Sequence, residues 1–159
     1  MDKMILDIEQ YEQEILEFCD KIKKISTQWD IVIGIGQGGI LPAIYVARTL
    51  NKPLGVIIAN RYKGDDKEGG KIKLSSLTMF PILKDYDRQM MRALVVDDIA
   101  DRGITLRAVK EYLKNVFDGV DYAVVYYKPR STFIPDIYHE RIDNSTWVQF
   151  PHERKGEEE

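Results

Sequence analysis

Apolar and polar positions alternate along this chain with two periods, and the changes between them mark out its elements. Over Met4–Ile25, apolar residues at Ile8, Ile15, Cys19, Ile22 and Ile25 keep close to helical spacing, with acids and lysines between them. That pattern predicts an amphipathic helix packed on a core. Asp30 precedes Ile31–Ile35, a short β-branched run that reads as a buried strand. The glycines Gly34, Gly36, Gly38 and Gly39 crowd its end, and Pro42 lies near the start of a second predicted helix. Ile40, Ile44, Ala47 and Leu50 would form the apolar face of that helix.

Leu54–Ala59 reads as another strand, joined to the helix by Asn51–Pro53. The charged, glycine-rich Lys63–Gly70 reads as a mobile loop of the kind that often carries function, and Lys71–Phe80 as its return strand. Asp85–Arg92 is polar and turn-like. Ala93–Val96 is a third buried strand, ending in acids. Thr105–Phe117 is helical, with Leu106, Val109, Leu113 and Val116 on one stripe. Tyr122–Tyr127, Asp136–Ile142 and Thr146–Phe150 read as further strands, and Arg154–Glu159 as a frayed, charged tail. There are no internal repeats.

Helices alternating with short apolar strands predict an α/β fold: a doubly wound, mostly parallel twisted sheet flanked by helices. Such sheets bind ligands at the carboxyl ends of their strands. Two strand-to-helix turns should therefore meet there, Gly34–Gly39 and Asp97–Thr105.

Composition narrows the class. At 159 residues the chain suits one domain, and its 44% apolar and 31% charged residues are those of a globular protein. A net charge of −3 argues against a duplex-binding module, so no nucleic-acid partner is expected. The lone Cys19 precludes an internal disulfide and fits a reducing compartment. Met1–Glu14 has no secretory pattern, and Ile31–Ile35 and Ala123–Tyr127 are far short of a membrane span. The expectation is a cytoplasmic protein without a membrane partner.

The densest chemistry lies in Leu94–Leu106 (LVVDDIADRGITL): a strand, the pair Asp97–Asp98, then Asp101, Gly103 and Thr105, then a helix. Backbone N–H groups at a helix start, with a glycine for close approach, make an anion site. A threonine at the helix mouth can cap it and bond a phosphate oxygen. Carboxylates alone would repel phosphate. A ribose explains them, because its 2′- and 3′-hydroxyls need acceptors and a Mg²⁺ on the sugar would offset the charge. The alternative is an acidic strand end that is merely solvated.

With these residues the chain resembles the type I phosphoribosyltransferases, whose PRPP motif is an apolar strand, two acids, then Asp-Thr-Gly-x-Thr or a close variant. Val95–Thr105 carries the match, and Lys128-Pro129-Arg130, Pro135-Asp136 and Trp147–Glu153 resemble the small xanthine–guanine and hypoxanthine branch. The resemblance implies one phosphoribosyltransferase domain over 1–159, with a small C-terminal base-binding hood at 128–153 and an active-site loop at 63–70. It implies a purine phosphoribosyltransferase that moves the 5-phosphoribosyl group of PRPP to a 6-oxopurine, with Mg²⁺, as a homodimer or homotetramer. Asp97 and Asp98 would hold the ribose hydroxyls, with Asp98 also serving the Mg²⁺-bound sugar. Asp101 would be the catalytic residue near the purine N7. Arg102, Gly103, Ile104 and Thr105 would cradle the 5′-phosphate. A non-catalytic PRPP or nucleotide sensor on the same fold remains the alternative.

The turn Gly34-Ile35-Gly36-Gln37-Gly38-Gly39 satisfies G-x-G-x-x-G and suggests a dinucleotide fold. The acid expected at the end of the next strand is missing, since Leu54–Ala59 leads into Asn60 and Arg61. Under the resemblance, Gly36, Gln37 and Gly38 form the pyrophosphate loop, with a non-proline cis peptide at Gly36–Gln37. Lys71 or Lys73 would touch the pyrophosphate as the loop closes; a plain hairpin tip is the alternative.

For the base, the resemblance assigns Trp147 to stacking, the Val148 carbonyl to the ring edge, and Lys128 to the purine O6. A lysine offers donors only and so favours a 6-oxo group over adenine's 6-amino group. Read alone, Trp147 could equally complete the core and Lys128 sit on the surface. Glu153 is a weak candidate for a second metal, and His139 and His152 read as surface residues. Two loops depart from the family pattern: Gln37 stands where a cation is usual, and Arg102 with Ile104 where small residues are usual.

Overall fold

The structure, a computed structural model, describes residues 2–61, 72–80 and 88–154. The expected loop at 63–70, Lys71, positions 85–87 of the Asp85–Arg92 turn and positions 155–159 of the charged tail lie outside the described residues. The strands are β1 (Lys3–Ile5), β2 (Ile31–Gly36), β3 (Leu54–Arg61), β4 (Ile72–Leu74), β5 (Thr78–Phe80), β6 (Arg92–Ala100), β7 (Gly119–Tyr127), β8 (Ile137–Arg141) and β9 (Trp147–Gln149). The helices are α1 (Ile8–Lys23), α2 (Ile40–Leu50) and α3 (Ile104–Leu113).

The main sheet runs β4-β3-β2-β6-β7-β8, and its five strands from β3 to β8 are parallel. β4 and β5 both pair antiparallel with β3, so the expected return strand is two short ones. The residues on β2 and the centre of β6 are buried on both faces, which is why they read as unbroken apolar runs. One core holds α1 and α2 side chains and the other holds those of α3. The sheet is thus doubly wound. From β2 the chain crosses to β3, and from β6 to β7 on the other side, so the neighbouring ends of β2 and β6 form a switch point.

Three expectations need correction. The first helix starts at Ile8, where Asp7 and Gln10 form a reciprocal cap, and not at Met4. Met4 instead belongs to β1, which pairs parallel with β9 through Lys3–Trp147, Met4–Val148 and Ile5–Gln149. This small second sheet is therefore built from both ends of the described chain, each three-residue strand satisfying the other's backbone.

The buried face of α1 is Tyr11, Ile15, Phe18, Cys19 and Ile22, while Ile8 is exposed. On α2 the buried residues are Pro42, Ala43, Val46 and Ala47, and Ile44 faces out. The small face of α2 wins because it seats the helix directly over Gly34: a Cβ there would lie 2.8 Å from that of Ala43.

Candidate functional site

At the switch point the end of β2 and the β6–α3 turn line a cleft of about 290 Å³. It brings together Gly36, Gly38, Asp97, Asp98 and the run Asp101–Thr105. The two loops singled out from sequence therefore face one another.

Asp97 is buried at the end of β6, and its carboxylate accepts the Asp98 N–H at 2.9 Å. Burial first, and then the charge of Asp98, raises its pKa well above the ordinary carboxylate range. Asp98 accepts the Ile99 N–H at 2.7 Å and leans over the opposing turn. A Cβ on Gly38 would come within 2.1 Å of the Asp98 carboxylate, so only glycine lets the two loops approach this closely. The Gly36–Gln37 peptide is cis.

Helix α3 begins at Ile104, with Gly103 as its cap residue in the left-handed region at φ 83°. No side chain caps this end, so its first N–H groups point to the cleft without a protein carboxylate or hydroxyl on them. Thr105 lies within the first turn and is not the cap, which corrects the expectation of a capping threonine. The exposed Arg102 offers its carbonyl to both the N–H and the hydroxyl of Thr132, at 3.0 Å each. The Ser131–Phe133 segment also presses on Gly103, where a Cβ would meet the Phe133 nitrogen at 2.6 Å. The turn before α3 is thus braced by the Ser131–Phe133 segment.

Asp101 stands at the cleft's edge beside two cations. Arg130 donates from Nε at 2.6 Å and from Nη2 at 2.5 Å to one carboxylate oxygen, and Lys128 Nζ lies 3.5 Å from the other. Lys128 is buried, which rules out the reading as a surface lysine. It lies beside Asp101, the residue expected at the purine.

Other assigned residues sit apart. Gln37 is exposed and lines an apolar groove with Tyr11, Ile44 and His152, outside the lining of the cleft. Trp147 is 42% exposed, with the Lys3 ammonium 4.9 Å from its ring centre, so it does not complete the core. It lines a separate hollow with Gln149 and Glu153, while Val148 is buried behind it. Lys71 lies outside the described residues.

The sequence reading missed the acidic partners of both histidines. His152 Nε2 lies 3.6 Å from Asp98 and the ring stacks on Phe150; Asp98 raises the histidine's pKa, against the pull of burial. His139 is half-buried beside Glu14 and Glu17, which corrects its reading as a surface residue, while His152 is exposed as expected. The signal was weak, because each partner lies far away in sequence.

Comparison with known proteins agrees with this geometry. The phosphoribosyl transferase domain family matches residues 2–155. The xanthine-guanine phosphoribosyltransferase of Chromohalobacter salexigens is 27% identical over 144 residues, covering 90% of this chain and 79% of its own. That of Desulfotalea psychrophila is 31% identical over 121 residues, covering 76% and 68%. The crystal structure of a purine phosphoribosyltransferase from Pyrococcus horikoshii superposes with a TM-score of 0.79 at 29% identity, covering 100% of this chain and 99% of that one. A cleft between a β2 glycine turn and an acid-rich β6–α3 turn, together with a match over nearly its whole length, makes this chain a member of the phosphoribosyltransferase family.

Proposed function

We propose that this chain is a purine phosphoribosyltransferase that transfers the 5-phosphoribosyl group of PRPP to N9 of a 6-oxopurine, releasing pyrophosphate. The observation that carries the reading is the meeting of the two turns across the cleft, with carboxylates on one wall and helix N–H groups at its end. Relatives named as xanthine-guanine enzymes support the choice of a purine.

In this reading the 5′-phosphate lies on the N–H groups at the start of α3, cradled by Arg102–Thr105. Asp97 and Asp98 accept hydrogen bonds from the ribose hydroxyls. The donor set suits Mg²⁺, because two adjacent carboxylates, one of them buried with its pKa raised by burial and by its neighbour's charge, gain from a divalent cation. Asp98 would hold the ion, which when bound neutralises charge on the sugar pyrophosphate. Backbone groups of Gly36, Gln37 and Gly38 meet the departing pyrophosphate. The bond from C1′ to the pyrophosphate oxygen breaks, the bond from C1′ to N9 forms, and the base gives up a proton. Asp101 assists that loss at N7, and Lys128 donates to O6. Trp147 stacks on the ring and the Val148 carbonyl reads its edge. Rate enhancement rests on orientation and on stabilising the leaving group.

The active unit is one domain over 1–159, with 63–70 closing over the sugar phosphate, Lys71 reaching pyrophosphate, and 128–153 holding the base. It works in the cytoplasm as a homo-oligomer. Among the described residues no helix is long and apolar enough to cross a membrane. Incubation with PRPP, Mg²⁺ and each nucleobase tests the reading. Formation of nucleoside monophosphate and pyrophosphate in equal amounts is expected; PRPP binding without product for any base would leave a sensor instead.

A further inference from the structure

Away from the cleft, α1 and the edge strand β8 bring three metal-ligating side chains together. Glu14 and Glu17 lie one turn apart on α1, so they share a face, and His139 projects from β8 toward them. His139 Nε2 is 2.5 Å from Glu14 Oε2 and 3.5 Å from Glu17 Oε2, and the three ligand atoms lie within 4.8 Å of one another. Among the described residues no other group of three such side chains is so placed.

A second observation comes from inside the sheet. Tyr126 is fully buried, and its hydroxyl has no hydrogen-bond partner. Burial raises the hydroxyl's pKa, and the charges of Glu14, Glu140 and Glu17 raise it further. Glu140 is its cross-strand neighbour on β8. A buried polar group without a partner is costly unless water or an ion's hydration shell reaches it. The nearby Lys21 does not answer the excess of acids, since its ammonium donates to the Tyr138 carbonyl at 2.7 Å and lies over the Tyr138 ring.

We infer that Glu14, Glu17 and His139 form a binding site for a divalent transition-metal ion, such as Zn²⁺, which ties α1 to β8. The imidazole selects against Mg²⁺ and Ca²⁺, which take oxygen ligands, and favours a borderline ion. Tetrahedral bonds of about 2.1 Å place ligand atoms roughly 3.4 Å apart. The present separations of 2.5 and 3.5 Å need only small side-chain rotations to reach that spacing. Three protein ligands leave one position for a water. The site is independent of the purine reading, because none of its ligands lines the cleft.

The test is titration of the metal-stripped full chain with Zn²⁺ alone, read by competition with a chromophoric chelator and by thermal unfolding. Co²⁺ serves as a visible-absorbing substitute. The expected result is one ion per chain, a raised Tm and a Co²⁺ spectrum of low-coordinate N/O type, all retained in Asp98→Asn. His139→Gln and Glu14→Gln should weaken binding at least tenfold, about 1.4 kcal/mol, while phosphoribosyl transfer is unchanged. If His139→Gln fails to fold, Glu17→Gln, on a more exposed side chain, makes the same measurement. Binding that survives these substitutions, disappears with Asp98→Asn, or is not seen would overturn the site and leave a histidine ion-paired to two glutamates.

Discussion

Arg130 grips one oxygen of Asp101 with two guanidinium nitrogens, at 2.5 and 2.6 Å, while the Lys128 ammonium stands 3.5 Å from the other. The residue assigned to the purine N7 is thus oriented by two cationic side chains before any base arrives. Pre-orientation of this kind serves a group that must meet one ring nitrogen at a fixed place.

Asp101→Asn should therefore lower turnover by roughly 10²-fold or more, the usual scale for general acid–base assistance. PRPP binding should largely survive, since Asp97, Asp98 and the α3 cradle are untouched. The kcat and the Kd for PRPP of Asp101→Asn and the wild type separate the effects. Wild-type turnover on every purine would remove the catalytic role.

Lys128 should set base choice. It is buried beside Asp101 and presents donors only, so guanine, hypoxanthine or xanthine should be used far better than adenine. Pairing an ammonium with adenine's amino group leaves a buried charge poorly met, at a cost of about 1–3 kcal/mol or more. Side-by-side kcat/KM values check this, and adenine turning over fastest would point to another branch.

Much of this site was legible because it is contiguous. The run from Asp97 to Thr105 carries its acids, glycine and helix start within nine residues, and the strand before it reads as buried. The Arg130–Asp101 and His152–Asp98 contacts span 29 and 54 positions, and nothing in local periodicity links such residues. β1 was hidden for a related reason: three residues have no period, and their partner lies at the other end of the chain. The α2 face was misread because its bulky residues outweighed Ala43 and Ala47 in the pattern, whereas close packing over Gly34 selects the small side.

Asp97 should weaken the free protein while serving the bound one. Its pKa is raised, so the folded state keeps this proton to higher pH than the unfolded chain does. Above the ordinary carboxylate range the unfolded state then binds fewer protons, and stability falls as pH rises. Asp97→Asn should remove that slope and raise Tm at neutral pH, by roughly 2–4 °C for each kcal/mol gained. It should also weaken PRPP binding, as expected where function costs stability. Thermal unfolding across pH, with and without PRPP and Mg²⁺, tests both halves; an unchanged slope refutes the first.

Gly103→Ala should damage the cradle from below. The position has φ 83°, and an added Cβ would press on the Phe133 backbone nitrogen and the Ser131 hydroxyl. The strain should cost on the order of 1–3 kcal/mol, and KM for PRPP should rise as the first turn of α3 is displaced. Gly38→Ala supplies the contrast, because its clash falls on the Asp98 carboxylate and not on the backbone. It should raise the Mg²⁺ and PRPP requirement with a smaller change in Tm. Equal losses of stability in the two variants would contradict this division.

Gln37 decides how the leaving group is stabilised. Pyrophosphate gains charge as it departs, so a cation beside it favours the transition state over the ground state. Gln37 donates hydrogen bonds without charge, and its side chain faces the groove beside Tyr11 and His152. An arginine there is exposed and has room to swing toward the cleft, since the position itself forms part of the turn between β2 and α2. Gln37→Arg should then raise kcat or lower KM for PRPP, and a tenfold gain corresponds to about 1.4 kcal/mol. If Lys71 or Arg102 already supplies the charge, the same change should crowd the loop and slow the reaction. Combining Gln37→Arg with Arg102→Ala distinguishes these cases. A gain that appears only in the double variant, relative to Arg102→Ala alone, assigns the compensating charge to Arg102. A gain in the single variant shows that the wild-type leaving-group site lacks it.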